Sequence, residues 1–154
     1  MPTAWRIVKT RFASQAFDGE GARANGGRWN SVGVRMVYTS ASIALAALEL
    51  LVHLENTGVL PSYSMIEVNF DVSLVTQLDR SRLPATWQDS PPPPELFAIG
   101  DAWISGESSV VLEVPSAVIE SEVNYLINPV HPNFKLLAIG RARPFRLDPR
   151  LFRS

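Results

Sequence analysis

The sequence predicts one α+β domain over residues 1–154, with mixed or antiparallel sheets and flanking helices. Three observations predict it. The 154 residues, 46% hydrophobic, suffice for one sizeable core but not for two. Strand-length apolar segments alternate with only two helical stretches, in the order β, loop, β, α, β, loop, α, β, β. A mean hydropathy of +0.06 and a formal charge of −1 exclude disordered and low-complexity classes.

Trp5-Arg6-Ile7-Val8 reads as the first strand. Residues 17–27 read as a glycine-rich loop, because Asn25-Gly26 and Gly26-Gly27 favour turns with positive φ. Val34–Thr39 is the next strand, with Val34, Met36 and Tyr38 on one face. Ser40 or Ser42 caps a helix over Ile43–Leu54 that stops before Gly58. Ser62–Phe70 is a strand. Residues 83–94 form an extended loop, and Pro94 opens a short helix over Glu95–Ile104. Val110–Val114 is a buried strand. Leu136–Leu147 supplies one or two final strands, with Gly140 as a bend.

Composition also bounds the chemistry. Without cysteine there is no disulfide, thiolate nucleophile or cysteine–zinc cluster, and two histidines, His53 and His131, are too few for a multi-histidine metal site. The first residues lack the apolar core of a secretory signal, and the stretch Ile43–Val52 is interrupted by Glu49 and too short to span a bilayer. A soluble, cytoplasmic protein without a membrane association is expected. Charge is segregated: residues 1–35 carry +4, residues 36–134 carry −10 and residues 135–154 carry +5. If the two ends pack together they build one basic face, and twelve of the fourteen basic residues are arginines, suited to bidentate phosphate or carboxylate binding. The acidic middle and the pI of about 6.1 argue against direct nucleic-acid binding.

Five positions stand out. Glu49 is the one charge between Val37 and Val52, and its helical neighbours are Leu45, Ala46, Val52 and His53. A carboxylate there needs a cationic or hydrogen-bonding partner; it is either a functional group or a structurally paired one. Gly26-Gly27-Arg28-Trp29-Asn30 lets backbone approach a ligand and presents an arginine, which suits a phosphate; alternatively it is a tight turn with a solvated Arg28. Tyr38, at a strand end, is either core or a surface on which a planar ring stacks. Ser116 follows a buried strand without the glycine frame of a nucleophile elbow, so it reads as a ligand contact or a turn cap. In Asn124-Tyr125-Leu126-Ile127-Asn128-Pro129-Val130-His131-Pro132, Asn124 and Asn128 either read polar edges of a ligand or cap turns, and His131 is catalytic or structural.

Trp5-Arg6-Ile7, Gly26-Gly27-Arg28-Trp29-Asn30, Tyr38, Leu48-Glu49, Val114-Pro115-Ser116 and Asn128-Pro129-Val130-His131-Pro132 together resemble the RES-domain toxins of RES–Xre toxin–antitoxin pairs. The family's arginine, glutamate and serine match Arg28, Glu49 and Ser116, and the resemblance covers about Trp5 to Leu151. It implies an ADP-ribosyltransferase-like fold that takes NAD+ as substrate, without a separate cofactor, and depletes it by hydrolysis or phosphorolysis of the nicotinamide–ribose bond. The alternatives are a protein ADP-ribosyltransferase using the same site and a noncatalytic nucleotide-binding module. The implied site comprises Glu49, Arg28, Tyr38 and Ser116 for catalysis, with Arg6 and Asn124 joining Arg28, Tyr38 and Ser116 in holding NAD+. Arg6 and Arg28 are expected at the pyrophosphate and Tyr38 against the nicotinamide. The implied partner is an Xre-type helix-turn-helix antitoxin that blocks the site, with the toxin a homodimer in the complex.

Overall fold

A computed structural model describes residues 1–54 and 60–152. Its framework is one eight-stranded sheet. In chain order the elements are β1 (Thr3–Lys9), α1 (Glu20–Asn25), β2 (Val37–Ser40), α2 (Ile43–Leu51), β3 (Tyr63–Asn69), β4 (Val75–Gln77), α3 (Pro94–Gly106), β5 (Val111–Pro115), β6 (Val123–Ile127), β7 (Ala138–Ile139) and β8 (Arg143–Phe145). The strand order is β4-β5-β6-β2-β1-β3-β7, with β8 also on β3. Among the described residues only β4 and β5 run parallel; the remaining pairs are antiparallel. The predicted α+β class holds.

Side-chain alternation divides the interior between the two faces. Leu112 and Leu126 lie in register and join Trp29, Met36, Leu96, Ile99 and Trp103 on the face covered by α3. Val37, Ile127 and Val111, also in register, turn to the other face, with Ala4, Val68, Phe70 and Leu137. α2 packs against β1 and β2. Its start follows the capping rule: the Ser42 hydroxyl accepts the Leu45 N–H at 3.1 Å.

Several boundaries differ from the sequence expectation. The glycine-rich loop contains α1, started by Gly19 at φ 75° and stopped by Gly26 at φ 73°. The second strand begins at Val37, not Val34, because the Asn30 amide donates to the Val34 carbonyl and holds that residue in the preceding loop. α2 ends at Leu51, and the expected stop at Gly58 lies outside the described residues. β4 and β6 were not expected: β4 has three residues, and the alternation in β6 is masked by its polar Asn124 and Tyr125. The two chain ends converge on β3, which pairs with both β1 and β8, and the Arg143 guanidinium lies 5.8 Å from the Trp5 ring centroid. Among the described residues no helix is long and apolar enough to cross a membrane.

Candidate active site

The sheet sets the site through a single row. Trp5, Ser40, Asn124 and Val114 are paired in succession across β1, β2, β6 and β5, so their side chains share one face. α2 lies against that sheet and brings Glu49 to Asn124. The Asn124 Nδ2 donates to Glu49 Oε1 at 2.8 Å, and the Ser116 hydroxyl donates to the same oxygen at 2.7 Å. Glu49 is half-buried, and Oε2 has no protein donor among the described residues. The lone charge of the apolar helix therefore has its partners in two neutral donors, not in an internal arginine.

Ser116 is fully buried, and its oxygen also accepts the N–H groups of Val118 and Ile119, each at 3.1 Å. With two backbone donors on its oxygen and its proton given to Glu49, it is a positioning group, not an attacking one. Asn124 Oδ1 is buried and has no partner among the described residues, an exception to the usual pairing of buried polar atoms.

Arg28 lies close enough to Glu49 for the two charges to interact. Its Nη1 donates to the carbonyls of Trp87 and Asp89, both at 2.9 Å. Burial pulls the guanidinium pKa down, while Glu49, Tyr38 and Asp89 pull it back up. Tyr38 fixes the loop that carries Arg28. Its hydroxyl accepts the Trp29 N–H at 3.0 Å and donates to Asn30 Oδ1 at 2.5 Å, and burial raises its pKa. A Cβ on Gly27 would stand 2.5 Å from that hydroxyl, so the double glycine serves the approach of loop to Tyr38. Gly100 plays the same part from α3: a Cβ there would lie 1.6 Å from the Trp29 carbonyl oxygen.

Arg6 is placed differently. It alternates to the side of β1 opposite Trp5, where Nε donates to the Ala16 carbonyl at 2.6 Å and Nη1 to the Tyr38 carbonyl at 3.0 Å. β1 and β2 pair only at Trp5–Ser40, and Arg6 bridges the strands beyond that point. Burial lowers its pKa to about 10, against a smaller upward pull from Asp18, so it stays charged at neutral pH. Ser116 and Asn124 meet at Glu49, and Glu49 and Tyr38 lie close enough to Arg28 to act on its charge, while Arg6 bonds carbonyls of the β1–β2 frame.

His131 is committed to backbone. Its Nδ1 accepts from the Asn133 N–H at 2.9 Å, and its Nε2 lies 2.8 Å from the Glu107 carbonyl, to which it donates. Asn128 is fully buried and accepts the Val130 N–H at 3.1 Å. Both are turn residues. Surface cavities of about 410 and 310 Å³ lie elsewhere and include none of Arg28, Tyr38, Glu49, Ser116 and Asn124. Among the described residues no group of three or more His, Asp or Glu side chains is arranged to hold a metal ion.

Fold and site together define an α+β domain whose mixed sheet carries a half-buried carboxylate oriented by two neutral donors. The RES domain family matches residues 3–148, and the chain belongs to that family. It is 35% identical to "Toxin Res" of Yersinia enterocolitica over 148 residues, 96% of this chain and 97% of the relative. It is 34% identical over 155 residues to the "Prs ADP-ribosylating toxin" of Sphingobium sp., covering 97% and 96% of the two. In fold it is similar to a chain of the M. tuberculosis MbcT–MbcA toxin–antitoxin complex, with a TM-score of 0.74 and 19% identity over 97% of this chain and 86% of that one.

Proposed function

We propose that this protein is the toxin of a toxin–antitoxin pair and that it consumes NAD+ by cleaving the nicotinamide–ribose bond. The observation that carries the reading is the Glu49 carboxylate, oriented through Oε1 by Ser116 and Asn124 and open at Oε2. As the bond breaks, its electron pair leaves with nicotinamide, which departs neutral, and positive charge builds on the ribose. Glu49 stabilises that charge and accepts a ribose hydroxyl through Oε2. A cationic leaving group needs little acid assistance, so the sparse supply of histidine, His53 and His131, is no obstacle. Arg28 holds the pyrophosphate through the edge of its guanidinium not used by Trp87 and Asp89. Tyr38 forms a wall of the nicotinamide side, and Asn124 holds Glu49 in place through its amide. Arg6, expected at the pyrophosphate, also bonds the Ala16 and Tyr38 carbonyls and so holds the β1–β2 frame.

Water or phosphate then attacks the opened sugar. A second reading, transfer of ADP-ribose to a protein side chain, is favoured by the similarity to the Sphingobium ADP-ribosylating toxin. Incubating the pure protein with NAD+, with and without phosphate and with a candidate protein acceptor, and identifying the ADP-ribose product separates these outcomes. NAD+ that stays intact under all conditions refutes the enzymatic reading. The partner we propose is an Xre-type helix-turn-helix antitoxin, named as such from the family resemblance, that restrains the toxin in the cytoplasm, where the toxin forms a homodimer within the complex.

A further inference from the structure

Residues 84–90 carry the inference. They fold as two tight turns, the Trp87 N–H donating to the Pro84 carbonyl at 3.1 Å and the Asp89 N–H to the Thr86 carbonyl at 2.9 Å. Trp87 packs its ring on the core face that holds Trp29 and Leu112. Two anchors tie the segment down at its two sides. On one side Arg28 Nη1 donates to the carbonyls of Trp87 and Asp89. On the other, Gln88 Nε2 lies 3.4 Å from the carbonyl of Ala117, the neighbour of Ser116. The segment thus runs from the arginine to the turn that orients Glu49 and forms a wall between them.

The guanidinium geometry gives this wall a consequence. Arg28 has five N–H donors, and the two on Nη1 are used by the two carbonyls. The remaining three, on Nε and Nη2, form the planar edge that matches an oxyanion in bidentate fashion. Neither has a protein acceptor among the described residues. One side chain can therefore hold the wall and an anion at once.

We propose that residues 84–90 are a substrate strap latched by Arg28, and that the strap and the substrate's pyrophosphate are held by opposite edges of the same guanidinium. Arg28 is then a positioning residue for the strap as well as a ligand of the anion. Each contact orients the guanidinium for the other, so strap order and ligand binding are positively coupled, and the coupling is reciprocal. The identity of the anion rests on the NAD+ reading; the latch does not.

Hydrogen exchange at the Trp87 and Asp89 amides reads the strap directly. In the ligand-free protein, Arg28→Ala is expected to speed exchange at both amides about tenfold, and Arg28→Lys to speed it by a smaller factor, while amides of the β5–β6 pair keep their rates. The β5–β6 rates show that each variant is folded, and the lysine variant serves if the alanine variant is not. ADP-ribose, added as a non-reacting pyrophosphate probe, is expected to slow exchange at both amides in the wild type. Unchanged strap rates in the folded variants overturn the latch. ADP-ribose that binds by calorimetry yet leaves the strap rates unchanged overturns the coupling. A loosened strap in the variants, with no ADP-ribose binding to the wild type, supports the latch and counts against the NAD+ reading instead.

Discussion

Replacing Glu49 by Gln tests the proposed chemistry most directly. The substitution keeps the length and shape of the side chain. The Gln oxygen can still accept from Ser116 and Asn124 at the distances that Glu49 Oε1 holds, 2.7 and 2.8 Å. What changes is the charge. Two hydrogen bonds to a carboxylate become two to a neutral oxygen, a loss of about 1 kcal/mol each. Returning a half-buried carboxylate to a neutral amide recovers desolvation energy that offsets part of this. Stability should therefore fall by no more than about 2 kcal/mol, and the protein should stay folded. In the transition state no such offset exists. The developing ribose cation loses its counter-charge, worth about 3–4 kcal/mol in a preorganised site, so kcat should drop by a factor on the order of 100 to 1,000. The assay is NAD+ consumption with product identification, run beside thermal unfolding of the same preparation. Wild-type turnover by a folded Glu49→Gln protein removes the carboxylate from the mechanism.

Four further outcomes are expected. Ser116→Ala leaves the Val118 and Ile119 N–H groups without their acceptor and frees Glu49 on one side, so thermal unfolding should show a loss of about 1–3 kcal/mol, with kcat falling more than KM rises. Arg6→Ala should destabilise by about 2–4 kcal/mol in urea titration by stranding the Ala16 and Tyr38 carbonyls; unchanged stability with a raised KM would return Arg6 to the pyrophosphate. Gly100→Ala, whose new methyl meets the Trp29 carbonyl, should lower the unfolding midpoint by an overpacking cost of about 1–3 kcal/mol or more, and a neutral result would show that the Arg28 loop does not lie against α3. Antitoxin and a nonhydrolysable NAD+ analogue should compete, because a segment that blocks the cleft must meet Arg28 and Glu49; antitoxin affinity that ignores a saturating analogue places inhibition elsewhere.

The sequence by itself determined the elements whose signals are local. Ser42 and the apolar run after it define α2, Pro94 opens α3, and the alternation ending in Ile66, Val68 and Phe70 defines β3. It also singled out Glu49, because a carboxylate inside an apolar helix is costly wherever the helix lies. The positions of Arg28, Tyr38 and Ser116 carried a family pattern in their order. What those residues touch was decided only by the tertiary structure. The partners of Glu49 come from positions 67 and 75 residues away, and their convergence depends on the register of β5, β6 and β2, which no local signal encodes. Strand parity sent Arg6 to the opposite side of β1 from the Trp5 row, a distinction of one residue that composition and motif do not reveal. No local signal sets Gly100 apart, yet the Trp29 backbone lies on it, and both Arg28 bonds end within residues 84–90, part of a stretch that reads locally as an extended loop. Local chemistry chose the helices, the main strands and the costly charge; long-range pairing chose which groups that charge would meet.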